Sequence, residues 1–206
     1  MKKRKVKVNI KIKFYKYLLG FFCLTFVILA VIVGVRQYKI YAYNKNALNV
    51  YETFMSLAEI EQSDVEYEKG DLRMGDYKVI GTIKIASIGI EYPILDRTTM
   101  DSLSLSITKL SGPGLNELGN VSIAGHHSVR GGLFTKLSLV KKGDIIEITD
   151  KKNRTIKYQV YKIYNVTPDN LDPVRTTDES VREITLISCI QRGKKRVIVK
   201  AIEVQE

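Results

Sequence analysis

Hydrophobicity along the chain falls into three regimes. Residues 18–35, LLGFFCLTFVILAVIVGV, run without a single charge. As a helix this stretch spans roughly 27 Å at about 1.5 Å per residue. That approaches a hydrocarbon core about 30 Å thick. Tyr15, Tyr17 and Tyr38 flank it, where interfacial aromatics belong. In the next regime, KNALNVYETFMSLAEIEQ (45–62), Leu48, Tyr51, Met55, Leu57 and Ile60 recur at three- and four-residue steps. That spacing predicts a helix. Residues 63–76, SDVEYEKGDLRMGD, are polar with two glycines and predict a linker.

From Tyr77 the pattern changes to β-rich alternation. YKVIGTIKIASIGIEYPILD predicts two or three short strands. A short helix-like piece (99–110) and the turn SGPG lead to NVSIAG, another strand. Further strands are expected at DIIEIT, TIKYQVYKIYNV, EITLISCI and RVIVKAIEV. Turn signals fall at Lys142-Gly143-Asp144, Asp150–Asn153 and Arg192-Gly193. About eight short strands in so small a region imply a closed barrel or a sandwich. The expected organisation is a basic tail (1–17), an apolar anchor (18–35), a stalk and linker (36–76) and a β domain (77–206).

Charge sharpens the anchor reading. The formal charge is +11, which alone would suggest a nucleic-acid partner. Residues 1–36 hold nine Lys or Arg and no Asp or Glu, so residues 37–206 carry only +2. A nucleic-acid role therefore has no support in the β domain. Cations gathered before an apolar run keep the N-terminus cytoplasmic and place the β domain outside. A cleaved signal peptide is the competing reading. Its apolar region is usually shorter and ends at a small-x-small site, whereas VRQYKIYAYNKN follows here.

Export gives the cysteines meaning. Cys23 lies in the anchor, so the exported part holds only Cys189, within TLISC (185–189). No intramolecular disulfide is available to it there. The only histidines are the adjacent His126 and His127 in IAGHHS, at the end of a strand. Cys and His together are the minimum for thiolate catalysis, since an imidazole can take and return the proton. A buried core cysteine and a surface histidine remain the plain alternatives. Hairpin arithmetic adds a cation. If Ile190 pairs with Lys195 across a four-residue loop, Cys189 stands opposite Arg196. Cross-strand neighbours share a face, with Cβ atoms about 5 Å apart. A guanidinium there would lower a thiol pKa or hold an oxyanion, but a register slip of one would turn Arg196 away. There is no zinc spacing and no phosphate loop, and no cofactor is expected. Asp169, Asp172, Asp178, Glu179 and Glu183 are read as solvated surface rather than a calcium-responsive loop.

The basic anchor, NVSIAGH, TLISC and RVIVKA in this order resemble the sortases, cysteine transpeptidases of Gram-positive bacteria. The family's TLxTC motif reads Thr185-Leu186-Ile187-Ser188-Cys189 here, with Ser in place of the second Thr. The resemblance implies an eight-stranded sortase-type β-barrel preceded by the transmembrane helix and stalk. It implies the catalytic residues His126, Cys189 and Arg196, with His127 a neighbour. The substrate would be an exported protein with an LPxTG-like sorting signal. The acceptor would be an amine of a cell-wall (peptidoglycan) precursor or a pilin lysine. Residues 164–183 match the region that shapes the pocket for the signal's apolar residue. The long anchor, the short cysteine hairpin and the lack of an Asp-Pro-Trp or Asp-Pro-Phe lid suggest a class A- or class D-like member. An exported cysteine protease and a non-catalytic membrane-tethered β-module are the alternatives.

Overall fold

The computed structural model describes residues 2–60, 72–127, 133–190 and 193–205. The chain divides into two compact units, Met1–Ala42 and Tyr43–Glu206.

A first helix, α1, runs Lys2–Ile60. Phe14–Leu57 within it is long and apolar enough to cross a membrane. In the first unit Phe21, Phe22, Phe26 and Ile32 are all exposed. Side chains apolar on every face of a helix need an apolar surrounding that protein does not supply here.

In the second unit, alternating Ile and Val build a barrel. The strands are β1 (Arg73–Met74), β2 (Tyr77–Ile85), β3 (Ile90–Leu95), β4 (Ile107–Ser111) and β5 (Gly119–Gly125). β6 (Ile145–Asp150), β7 (Thr155–Val166), β8 (Arg182–Ile190) and β9 (Lys195–Glu203) follow. Their spatial order is β1-β2-β3-β4-β5-β8-β9-β7-β6, and β6 pairs back onto β2. That last pairing closes β2–β9 into an eight-stranded barrel, leaving no open edge among them. β3–β4 and β5–β8 are parallel, and the other pairs are antiparallel.

Period-two alternation sorts the side chains. Val121 and Ile123 of β5, Ile184 and Leu186 of β8, and Val197 and Val199 of β9 fill the interior. The residues between them face outward. This alternation decides which residues can meet at the site.

Two boundaries differ from the sequence reading. The helix-like piece 99–110 is half helix: α2 covers Met100–Leu105, and β4 begins at Ile107. Thr99 starts α2 with a capping box, its hydroxyl accepting from the Ser102 amide at 3.0 Å. The Ser106 hydroxyl then donates to the Pro93 carbonyl at 2.6 Å and turns the chain into the sheet. Residues 73–74, inside the expected linker, add the short strand β1 against β2.

The C-terminal part of α1 packs on the barrel. Ala47 and Phe54 are fully buried with Met74, Tyr77, Val79 and Leu95. The Thr82 hydroxyl meets the Met55 sulfur at 3.7 Å.

Candidate active site

Two strand pairings assemble the site. β8 and β9 pair antiparallel with Ile190 opposite Lys195 and Cys189 opposite Arg196. This is the register derived from the hairpin, so Arg196 shares the outward face with Cys189. Cys189 is exposed, which removes the buried-core reading of its thiol. Arg196 is half-buried. Residues 191 and 192 of the hairpin lie outside the described residues.

β5 supplies the histidine. It runs parallel to β8 with Ser122 beside Thr185, Ala124 beside Ile187 and Gly125 beside Ser188. The Ser188 hydroxyl donates to the Gly125 carbonyl at 3.0 Å, fixing this end of the two strands together. His126 and His127 follow directly, both exposed. Adjacent strands lie about 4.8 Å apart. His126, Cys189 and Arg196 thus sit at one end of three neighbouring strands, β5, β8 and β9.

The strip of outward face below them is the candidate groove. Ala124, Ile187 and Ile198 line it on β5, β8 and β9, and Tyr164 continues it on β7 opposite Ile198. Ile187 and Ile198 are buried although they face away from the interior. A short 3₁₀ turn between β7 and β8, Asp172–Val174, lies against Asn120 and Thr185 on this face.

Charge around the groove is specific. Asp169 is held below the usual carboxylate range, first by its hydrogen bond to Thr167, then by its own backbone, and also by the nearby Arg196 charge. Burial pushes the Tyr164 phenol up, reinforced by Glu183 and Asp172. Further along the same outward face, Lys200 and Glu183 form a buried ion pair at 3.0 Å, and Tyr161 donates to Glu183. Among the described residues no cluster of three metal-ligating side chains occurs. Asp172 pairs with Arg175 at 3.2 Å, and Asp178 accepts from Ser180.

Residues 83–204 match the family model described as a sortase domain. The chain belongs to the sortase family. It is 32% identical over 191 residues to sortase A of Bacillus anthracis, an alignment covering 85% of this chain and 89% of that one. A solved Clostridium perfringens sortase D5 transpeptidase is similar at 26% identity with TM-score 0.59, covering 79% of this chain and 98% of that one. A lid mutant of sortase A from Corynebacterium diphtheriae is similar at 25% identity and TM-score 0.59, covering 78% of this chain and 96% of that chain. Membership makes the chain a cysteine transpeptidase, and its apolar N-terminal helix fits membrane anchoring.

Two further residues of the quoted stretches, Asn120 of NVSIAGH and Thr185 of TLISC, have no role in the sequence reading and lie on the same outward face. Asn120 and Thr185 are buried there and hold the 3₁₀ turn. One signal was available: Asn120 and Ser122 occupy alternate, outward positions in the otherwise apolar NVSIAG. Of the acids read as solvated surface, Glu183 is the exception: it is buried and paired with Lys200, because it faces outward on β8 beside β9.

Proposed function

We propose that this sortase cleaves an LPxTG-like C-terminal sorting signal at Cys189 and transfers the protein to an amine of the cell wall. The observation that carries this reading is the exposed Cys189 paired with Arg196, beside the strand that delivers His126. The reaction begins with the thiol proton on His126. The Cys189 thiolate attacks the Thr carbonyl of the signal, forming a C–S bond. Arg196 steadies the oxyanion. The C–N bond to Gly breaks as the His126 imidazolium gives its proton to the leaving amine. An incoming amine then attacks the thioester and loses a proton to His126. A C–N bond forms, and the C–S bond breaks to restore the thiolate.

The acceptor is a wall-precursor peptide or a pilin lysine, and the enzyme is class A- or D-like. The basic tail (1–17) lies in the cytoplasm, residues 18–35 span the plasma membrane, 36–76 serve as stalk and linker, and the barrel (77–206) is extracellular. Such placement brings the thiol to substrates held at the outer membrane face.

The test incubates the full chain in detergent micelles with a fluorogenic LPETG peptide and a primary amine. Peptide–amine conjugate should form, and Cys189→Ala should abolish cleavage. Full activity in Cys189→Ala would refute the thioacyl mechanism. Free acid as the sole product, despite excess amine, would instead make the enzyme a protease.

A further inference from the structure

Buried polar groups on the groove's outward face form a closed set of hydrogen bonds. The Asn120 side-chain amide donates to the carbonyls of Pro173 and Arg175, each at 3.0 Å. Its own carbonyl oxygen accepts from the Thr185 hydroxyl at 2.8 Å. The Pro173 carbonyl also lies 3.2 Å from that hydroxyl. The Asn120 backbone amide donates to the Thr176 hydroxyl at 3.3 Å. Both donors and the acceptor of the Asn120 side chain are therefore used, and Asn120 and Thr185 are fully buried. The segment they hold is partly open to solvent: Pro173 is buried, but Asp172 and Arg175 pair with each other with each side chain 73% accessible. Left alone, such a turn has little to fix it.

Its position matters for catalysis. Thr185 lies four residues before Cys189 on the same outward face, about 13 Å along the strand at roughly 3.3 Å per residue. An extended peptide with its scissile carbonyl at Cys189 covers that distance with about four residues. A signal running along β8 from Cys189 toward Thr185 would bring the first residue of its LPxT segment to the Asp172–Val174 turn.

We infer that Asn120 and Thr185 are positioning residues: they clamp the 172–176 turn so that it forms a fixed wall for the far end of the sorting signal. This rests on the sortase reading of the groove. The first Thr of TLISC acts through Asn120 rather than on the thiol. The turn's two carbonyls need donors from below, which an isosteric Asp cannot provide. Thr185→Val keeps the shape and removes the donor, leaving the Asn120 oxygen buried without it.

The test compares Asn120→Asp, Thr185→Val and Thr185→Ser in the full chain in micelles. Three readouts are taken: LPETG peptide kinetics, the rate at which a small alkylator modifies Cys189, and amide exchange across residues 170–177. Thr185→Val should raise KM about tenfold, the loss of one well-made hydrogen bond, and Asn120→Asp, which loses two donors, at least as much. The value of kcat should stay within about twofold, since the lost contact is uniform binding. Alkylation of Cys189 should be unchanged, exchange at 174–176 should accelerate, and Thr185→Ser should behave as wild type. Unchanged exchange at the turn in both disruptive variants overturns the clamp, whatever happens to activity. Faster exchange with kcat lost and KM retained overturns its role in substrate binding. If the wild-type chain cleaves no LPETG peptide, the sortase reading of the groove and the clamp's substrate role both fall. The exchange data then judge only whether the clamp holds the turn.

Discussion

Gly125 leaves room for a ring. A Cβ at this position would overlap the Phe134 ring and approach Ile107 Cγ2 to 2.9 Å. Phe134 is fully buried and belongs to the barrel core, so it has nowhere to retreat. The glycine before His126 thus lets the 3₁₀ stretch Leu133–Leu139 pack against the end of β5. Gly125→Ala forces either the ring or the strand to shift. Overpacking of this kind costs about 1–3 kcal/mol. For a protein of this size each kcal/mol lowers Tm by about 2–4 °C. Thermal unfolding followed by circular dichroism should show that fall. Peptide cleavage should slow as well, because β5 also carries His126 and is tied to Ser188. Adding Phe134→Leu should recover part of the activity by freeing space. A Gly125→Ala enzyme with unchanged Tm would mean that the ring does not approach as described.

At the scale of elements, the C-terminal part of α1 behaves as part of the barrel unit. Phe54 and Ala47 lie one face apart by seven residues and cover β1, β2 and β3. Around the closed barrel β2 stands four places from β8 and three from β9, and β3 three and four, so the helix supports the wall away from the thiol. Phe54→Ala should cost about 3–5 kcal/mol, while Leu48→Ala at an exposed position should stay within about 0.5 kcal/mol. Urea unfolding of the full chain in micelles separates the two. Equal midpoints would show that the helix does not dock. The sequence spacing pointed to Leu48, Tyr51, Met55, Leu57 and Ile60, yet Ala47 and Phe54 are the residues buried deepest. Small and isolated apolar residues weigh little in a periodicity, and only the partner surface shows which face is used. Strands were easier to read. β7 falls on TIKYQVYKIYNV residue for residue, because a long alternating run between turn signals leaves few other options. The β8–β9 register was also legible, since a short hairpin fixes its own pairing. The parallel β5–β8 contact was not, because no local turn links Gly125 to Ser188. The Asn120–Thr185 clamp depends on that contact and on the fold of the β7–β8 segment, so it became visible only in three dimensions.

At the scale of the whole molecule, two thiols report on topology. Cys23 lies in the apolar part of α1 and Cys189 at the end of β8, and both are exposed to the protein's surroundings. Protein does not shield Cys23, so any protection it shows in cells must come from lipid. A thiol reacts as its thiolate, and hydrocarbon disfavours that charge strongly. The proposed orientation, with the basic tail inside, then has a distinct outcome. A membrane-impermeant maleimide added to intact cells should label the wild-type chain and Cys23→Ser equally, and should leave Cys189→Ser unlabelled. Solubilising Cys189→Ser in detergent with a denaturant should let Cys23 react. Labelling of Cys189 only after the cells are permeabilised would reverse the orientation. A chain in which Cys23 also reacts in intact cells would place residues 18–35 outside the bilayer and undo the anchor itself.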